Sequence, residues 1–226
     1  MAIFMGLLGM LAGSGINWLA CTLPSRRAAQ AAPACMPSWA LLKLVKRRPL
    51  DSADRMRLAV ELVGAALFII AWARFGADWR LLYALIVISF LLLVAVIDIQ
   101  YRLVLNVMTY PAILIALAVQ LYLGIQPTAN IILGGLFAFI IFFGTAVLKP
   151  GQLGGGDVKL AVLIGVAFGF PGVIWALIIG AGAGALVSVG LLLSRQGTRA
   201  TSIPYAPFLC LGAMFALLYG WSLLPA

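Results

Sequence analysis

Histidine is absent from this 226-residue chain, which excludes imidazole acid–base chemistry and removes the commonest zinc ligand. Acidic residues are scarce as well. There are six, Asp51, Asp54, Glu61, Asp78, Asp98 and Asp157, so any catalysis must draw on these few carboxylates. The three cysteines, Cys21, Cys35 and Cys210, are odd in number and show no CxxC spacing. Neither a disulfide framework nor a metal cluster is indicated, and no cofactor is expected. Charged residues of both signs amount to only 9%, against 65% hydrophobic residues and a mean hydropathy of +1.15, far from the balance of a soluble domain. The chain reads as an all-α, polytopic integral membrane protein.

The net charge of +9 does not point to nucleic acid, because the basic residues fall between apolar spans, where the positive-inside rule accounts for them. Met1 to Ala20 has no basic residue ahead of its apolar run and Arg26 and Arg27 behind it. It is therefore expected to be a first transmembrane helix with its N-terminus outside, not a signal peptide. Gly13, Ser14, Gly15 and Asn17 on this helix suggest close helix contact or a wet face. Cys21 to Arg57 carries eight basic residues and is expected to be a cytoplasmic loop, in which Ser38 to Arg48 suits a short helix lying on an anionic lipid surface. Residues 58–226 then form a seven-helix core.

Its spans are expected at Leu58 to Ala73, Leu81 to Ile97, Val107 to Leu123 with Asn106 as N-cap, Asn130 to Leu148, a short Val158 to Phe170, Gly172 to Leu193, and Pro204 to Leu224. Eight spans put both termini outside and place thirteen of the fifteen Lys and Arg residues on the cytoplasmic side. Asp98 and Asp157 then sit at that same face. Glu61 lies about one turn inside the second span, where an acid is costly unless partnered. It is either functional or an i, i+4 partner of Arg57.

The chain is organised around LKPGQLGGGDVKL, Leu148 to Leu160, a polar, glycine-dense break between apolar spans. Gly154, Gly155 and Gly156 leave the backbone bare of side chains, so that another extended strand could approach it. Two carboxylates brought close at a membrane boundary would not both ionise easily. One could then activate water while the other polarises a carbonyl, as in aspartic proteases. Composition and topology alone do not show that Asp98 and Asp157 meet. Taken singly, Asp157 reads as an N-cap and Asp98 as a solvated helix end.

The motif Gly154-Gly155-Gly156-Asp157, followed by Val158-Lys159-Leu160, resembles the GxGD motif of the type IV prepilin peptidases, and Asp98 in AVIDIQYRLVLN matches that family's other catalytic aspartate. GSGINWLACTLP (Gly13 to Pro24), the Glu61-containing ELVGAALF, the LGG start of the fifth span and IPYAPFLCLGA (Ile203 to Ala213) are similar too. Presenilin-like proteases share GxGD, but carry their other aspartate in a YD motif that Ile97-Asp98 does not reproduce.

The resemblance implies an aspartic endopeptidase of the bacterial cytoplasmic membrane. Its activity would be removal of the short basic leader from type IV prepilins or type II secretion pseudopilins, with Asp98 and Asp157 catalytic and Gly154 to Gly156, Glu61 and Lys159 in support. Lys159 serves topology more than chemistry in this reading, since a cation beside Asp157 would oppose its protonation. Many relatives also methylate the new N-terminus and bind zinc through a CxxC-bearing loop. The loop here has only Cys21 and Cys35, so zinc is not expected, methyltransferase activity is in doubt, and the expectation is a peptidase-only or loop-minimised member. Membrane lipid is an expected partner and a homodimer is left open. The rival readings are an ion or solute transporter and an inactive pilin-assembly scaffold.

Overall fold

The computed structural model describes residues 1–23, 51–124, 126–148, 153–193 and 204–219. Among these there are eight helices and no strand: α1 (Ala2–Thr22), α2 (Ser52–Phe75), α3 (Trp79–Tyr101), α4 (Asn106–Leu123), α5 (Thr128–Leu148), α6 (Gly155–Phe168), α7 (Gly172–Leu193) and α8 (Ala206–Tyr219). Each apolar segment read from the sequence corresponds to one helix, as expected where no water is present to satisfy an open backbone. Six are long and apolar enough to cross a membrane. The other two, α6 and α8, have 14 described residues each. The expected surface helix at Ser38 to Arg48 lies outside the described residues.

The chain divides into two compact units, Met1–Tyr101 and Arg102–Ala226. In the first, α1 packs against α2 and both touch α3. A methyl group on Gly9 would lie 2.7 Å from the Ala65 Cα, and one on Gly13 would lie 2.8 Å from the Glu61 Cα. The α1 glycines therefore let two backbones approach to a distance no larger residue allows. Gly15, expected to share that role, faces open space. The second helix begins at Ser52, six positions ahead of the apolar run at Leu58. Its polar first turn is held by Asp54, whose Oδ2 accepts the Asp51 N–H at 3.4 Å, the reciprocal half of a capping box. Cys21 is buried. Cys210 is buried and takes no part in a disulfide.

In the second unit α6 is the inner element, in contact with α4, α5, α7 and α8. Eight of its fourteen residues are buried. Outer helices expose leucine and isoleucine instead, for example Leu114 and Ile115 on α4 and Leu186 on α7, the pattern of helices solvated by lipid on one side. α5 and α6 cross with backbones in contact: methyl groups added at Gly134 and at Gly165 would each overlap the other helix's main chain. α7 and α8 cross in the same manner at Gly180 and Gly212.

Candidate functional site

Four of the six acids have local work at helix starts. Asp54 closes the first turn of α2. Asp78 accepts the Trp79 N–H at 2.7 Å and lies 3.6 Å from the Arg80 Nε at the start of α3, an exposed pair of the kind that contributes little to stability. Asp51 is the N-cap residue of α2. Asp157 makes the same kind of contact at the start of α6 but sits in the glycine turn, so it joins the buried Glu61 and Asp98 as a candidate for chemistry.

Asp98 occupies the last turn of α3 and is 5% exposed, at the end of a run from Leu91 in which every residue is buried. The helix stops three residues later at Tyr101, and the next residue, Arg102, has a φ of 52° in the left-handed region, uncommon for a residue with a side chain. Asp98 is thus a buried helix-end carboxyl rather than a solvated one. Glu61 is 1% exposed, on the face of α2 that meets α1 at Gly13. One turn away, the Asn17 side chain donates from Nδ2 to the Arg57 carbonyl at 3.1 Å, so the polar α1 residue bonds to the neighbouring helix. Both acids belong to the first unit.

Asp157 belongs to the second unit, as the third residue of α6. Its Oδ2 accepts the Gly154 N–H at 3.3 Å, and the positive end of the helix favours negative charge there. The glycine run does two things locally. Gly154 is the extended N-cap, at φ −74° and ψ 144°, while Gly155 and Gly156 already lie in the first helical turn, so of the three bare residues expected to admit another extended strand only the first is itself extended. A methyl on Gly156 would come 2.7 Å from the Val104 Cβ, whereas one on Gly155 would meet nothing within 4 Å.

Lys159 does not reach back to the glycine turn. Its Nζ donates to the Asn106 Oδ1 at 2.8 Å and lies 4.8 Å from the centre of the Tyr110 ring, a hydrogen bond combined with a cation–π contact. Asn106 is accordingly the first residue of α4, with Leu105 in the cap position, and its side chain serves Lys159 instead of capping its own helix. Tyr205, in the loop just ahead of α8, tilts against Phe142 of α5 at 6.1 Å between ring centres. Partial burial and then the charge of Asp157 hold its phenol above the ordinary value. Tyr205 was not picked out from the sequence, although it sits in the IPYAPFL stretch. Asn106 and Tyr110 carried no signal beyond their place at a helix start. Among the described residues, no group of three or more His, Cys, Asp or Glu is arranged to hold a metal ion.

Comparison with known proteins identifies the family. The description "Type IV leader peptidase family" matches residues 85–189. The prepilin leader peptidase/N-methyltransferase of Bacillus subtilis (strain 168) is 32% identical over 74% of this chain and 67% of its own length. The chain belongs to the type IV leader peptidase family. Proteins of the same name from Myxococcus xanthus (strain DK1622) and Aeromonas salmonicida (strain A449) are 26% and 27% identical over 88% and 73% of this chain. The chain spans 66% and 58% of those two relatives. No solved structure matches it. As a member of this peptidase family it is a multi-pass helical membrane protein, and the matched region takes in Asp98, the glycine turn, Asp157 and Lys159, while Glu61 lies ahead of it.

Proposed function

We propose that this chain removes the leader from type IV prepilins or pseudopilins by water attack at an Asp98/Asp157 dyad facing the cytoplasm. The observation that carries this reading is the reach of the family match, which contains both aspartates, each in the terminal turn of a helix. The helix N-terminus and the Gly154 N–H stabilise the anionic form of Asp157,. That suits it to be the base and leaves Asp98 the acid. The Asp157 carboxylate takes a proton from water as the water oxygen bonds to the scissile carbonyl carbon. The Asp98 carboxyl hydrogen bonds to the carbonyl oxygen and protonates it. Collapse of the tetrahedral intermediate breaks the C–N bond, returns the carbonyl proton to Asp98, and sends the proton held by Asp157 to the leaving amine. A substrate whose apolar helix stays in the bilayer would present its basic leader junction at the membrane surface, on the side that thirteen of the fifteen Lys and Arg residues favour,.

The reading is tested by cleavage of a leader-bearing prepilin with the purified protein in liposomes. Asp98→Asn and Asp157→Asn keep the side-chain size and remove the proton traffic. Each is expected to slow cleavage by about 10²–10⁴-fold, the span general acid–base catalysis supplies. A folded variant that cuts at the wild-type rate removes that residue from the mechanism. The names of the relatives include N-methyltransferase, whereas the paired CxxC motifs are absent here. Transfer of a labelled methyl group from S-adenosylmethionine to cleaved pilin would show that the two activities persist together.

A further inference from the structure

The far end of α6 poses a physical problem that two glutamines answer. With 14 residues the helix is about 21 Å long at 1.5 Å per residue, shorter than the roughly 30 Å hydrocarbon core of a bilayer. A helix that starts at one membrane face and stops after that length ends where no water reaches its last carbonyls, which need partners from protein. Gly165 O accepts the Gly169 N–H at 2.9 Å. The Ala167 carbonyl accepts from Gln120 Nε2 of α4, and the Phe168 carbonyl accepts from Gln126 Nε2 at 2.8 Å. Just beyond, the Phe170 N–H donates to the Asn130 carbonyl of α5 at 2.8 Å.

Gln120 is 1% exposed. The Oε1 atoms of both glutamines are buried and find no donor among the described residues. An orphaned buried amide oxygen is costly, so an apolar side chain would fit these places better unless the N–H donor is what is needed. Gly169 adds to the fit, with φ at +59° and the Gln126 amide occupying the place of its missing Cβ.

The other end of α6 is tied to the same helix and its lead-in. Gly156 abuts Val104, and Lys159 reaches Asn106 and Tyr110. α4 therefore holds α6, running parallel to it, near both ends. We infer that Gln120 and Gln126 are positioning residues, which set the register of α6 from its far end and thereby the depth of Asp157. The inference rests on the reading above, in which Asp157 is catalytic.

The test replaces each glutamine by methionine, which keeps chain length and helix propensity and removes the donor. In the liposome cleavage assay, Gln120→Met and Gln126→Met are expected to lower kcat about 10–100-fold, the sensitivity of chemistry to displacement on the ångström scale, with KM within about twofold of wild type. Folded variants with wild-type kcat, or with only KM raised, overturn the inference. A second readout does not depend on cleavage. Gly155→Cys, at a position with nothing within 4 Å, is labelled with a water-soluble maleimide, with and without the glutamine changes. A labelling rate altered by about twofold or more shows that α6 has moved, and an unchanged rate shows that the glutamines do not hold it. If wild-type protein fails to cut prepilin, the proposed function falls while the labelling still decides the positioning. If Gln120→Met does not fold, Gln126→Met in the α4–α5 connection carries both readouts.

Discussion

A single methyl group at Gly134 should separate two helices. Built on the backbone, its Cβ would come 2.7 Å from Gly169 Cα and carbonyl carbon and overlap the Gly165 carbonyl oxygen. Ordinary van der Waals contact begins at 3.4 Å, and every one of these neighbours is main chain. No rotamer can relieve the overlap, so α5 and α6 must part by roughly 0.7 Å or more, in the overpacking regime that costs about 1–3 kcal/mol. Against this stands the gain of about 1 kcal/mol from replacing glycine by alanine in a helix. With backbone on several sides the cost belongs at the upper end, leaving Gly134→Ala about 1–2 kcal/mol less stable. Gly144 on the same helix supplies the control, because nothing lies within 4 Å of its missing Cβ. Gly144→Ala should gain up to about 1 kcal/mol from propensity alone. The assay is reversible unfolding in mixed micelles, followed by circular dichroism, with prepilin cleavage measured in parallel. A Gly134→Ala protein as stable as Gly144→Ala would refute a backbone contact between α5 and α6.

Three further outcomes follow from the geometry. Gly156→Ala meets the Val104 Cβ at 2.7 Å while Gly155→Ala meets nothing, so the first should impair cleavage and the second leave it near wild type; equal losses would return the glycine run to a substrate-pairing role. Lys159→Met removes a hydrogen bond and a cation–π contact at a partly exposed site, and should cost about 1 kcal/mol in the same unfolding assay. Gly13→Leu would drive a large side chain into the Glu61 main chain, 2.8 Å from its Cβ position, and is expected to lower expression and melting temperature, whereas Gly15→Leu should be tolerated.

Hydropathy was enough to find every described helix, because in lipid an apolar run has few alternatives to a helix. The boundaries were harder. α2 starts at Ser52 since a capping box extends it through a polar turn that a hydropathy reading assigns to the loop. The two aspartates at helix ends and the glycine turn were legible because charge and glycine are conspicuous in such a chain. The role of Gly155 and Gly156 was not, since whether glycine serves an extended edge or a close helix start depends on Val104, about fifty residues away. Asn106 reads as an N-cap by position and is diverted to Lys159 by a contact that no local pattern encodes. Gln120 did leave a trace, as the one amide inside the apolar run from Val107 to Leu123, but its acceptor lies on another helix.

The shortness of α6 also bears on how the protein meets membranes of different thickness. A full-length span answers hydrophobic mismatch by tilting, so that its ends stay near the two surfaces. α6 reaches at most one surface and is fastened to α4 near both ends. When thicker or thinner lipid changes the tilt of α4, α6 goes with it, and the distance of Asp157 from the headgroups follows α4 in place of any hydrophobic matching by α6 itself. Acyl-chain length thereby becomes a variable that acts on the carboxylate through a neighbouring helix.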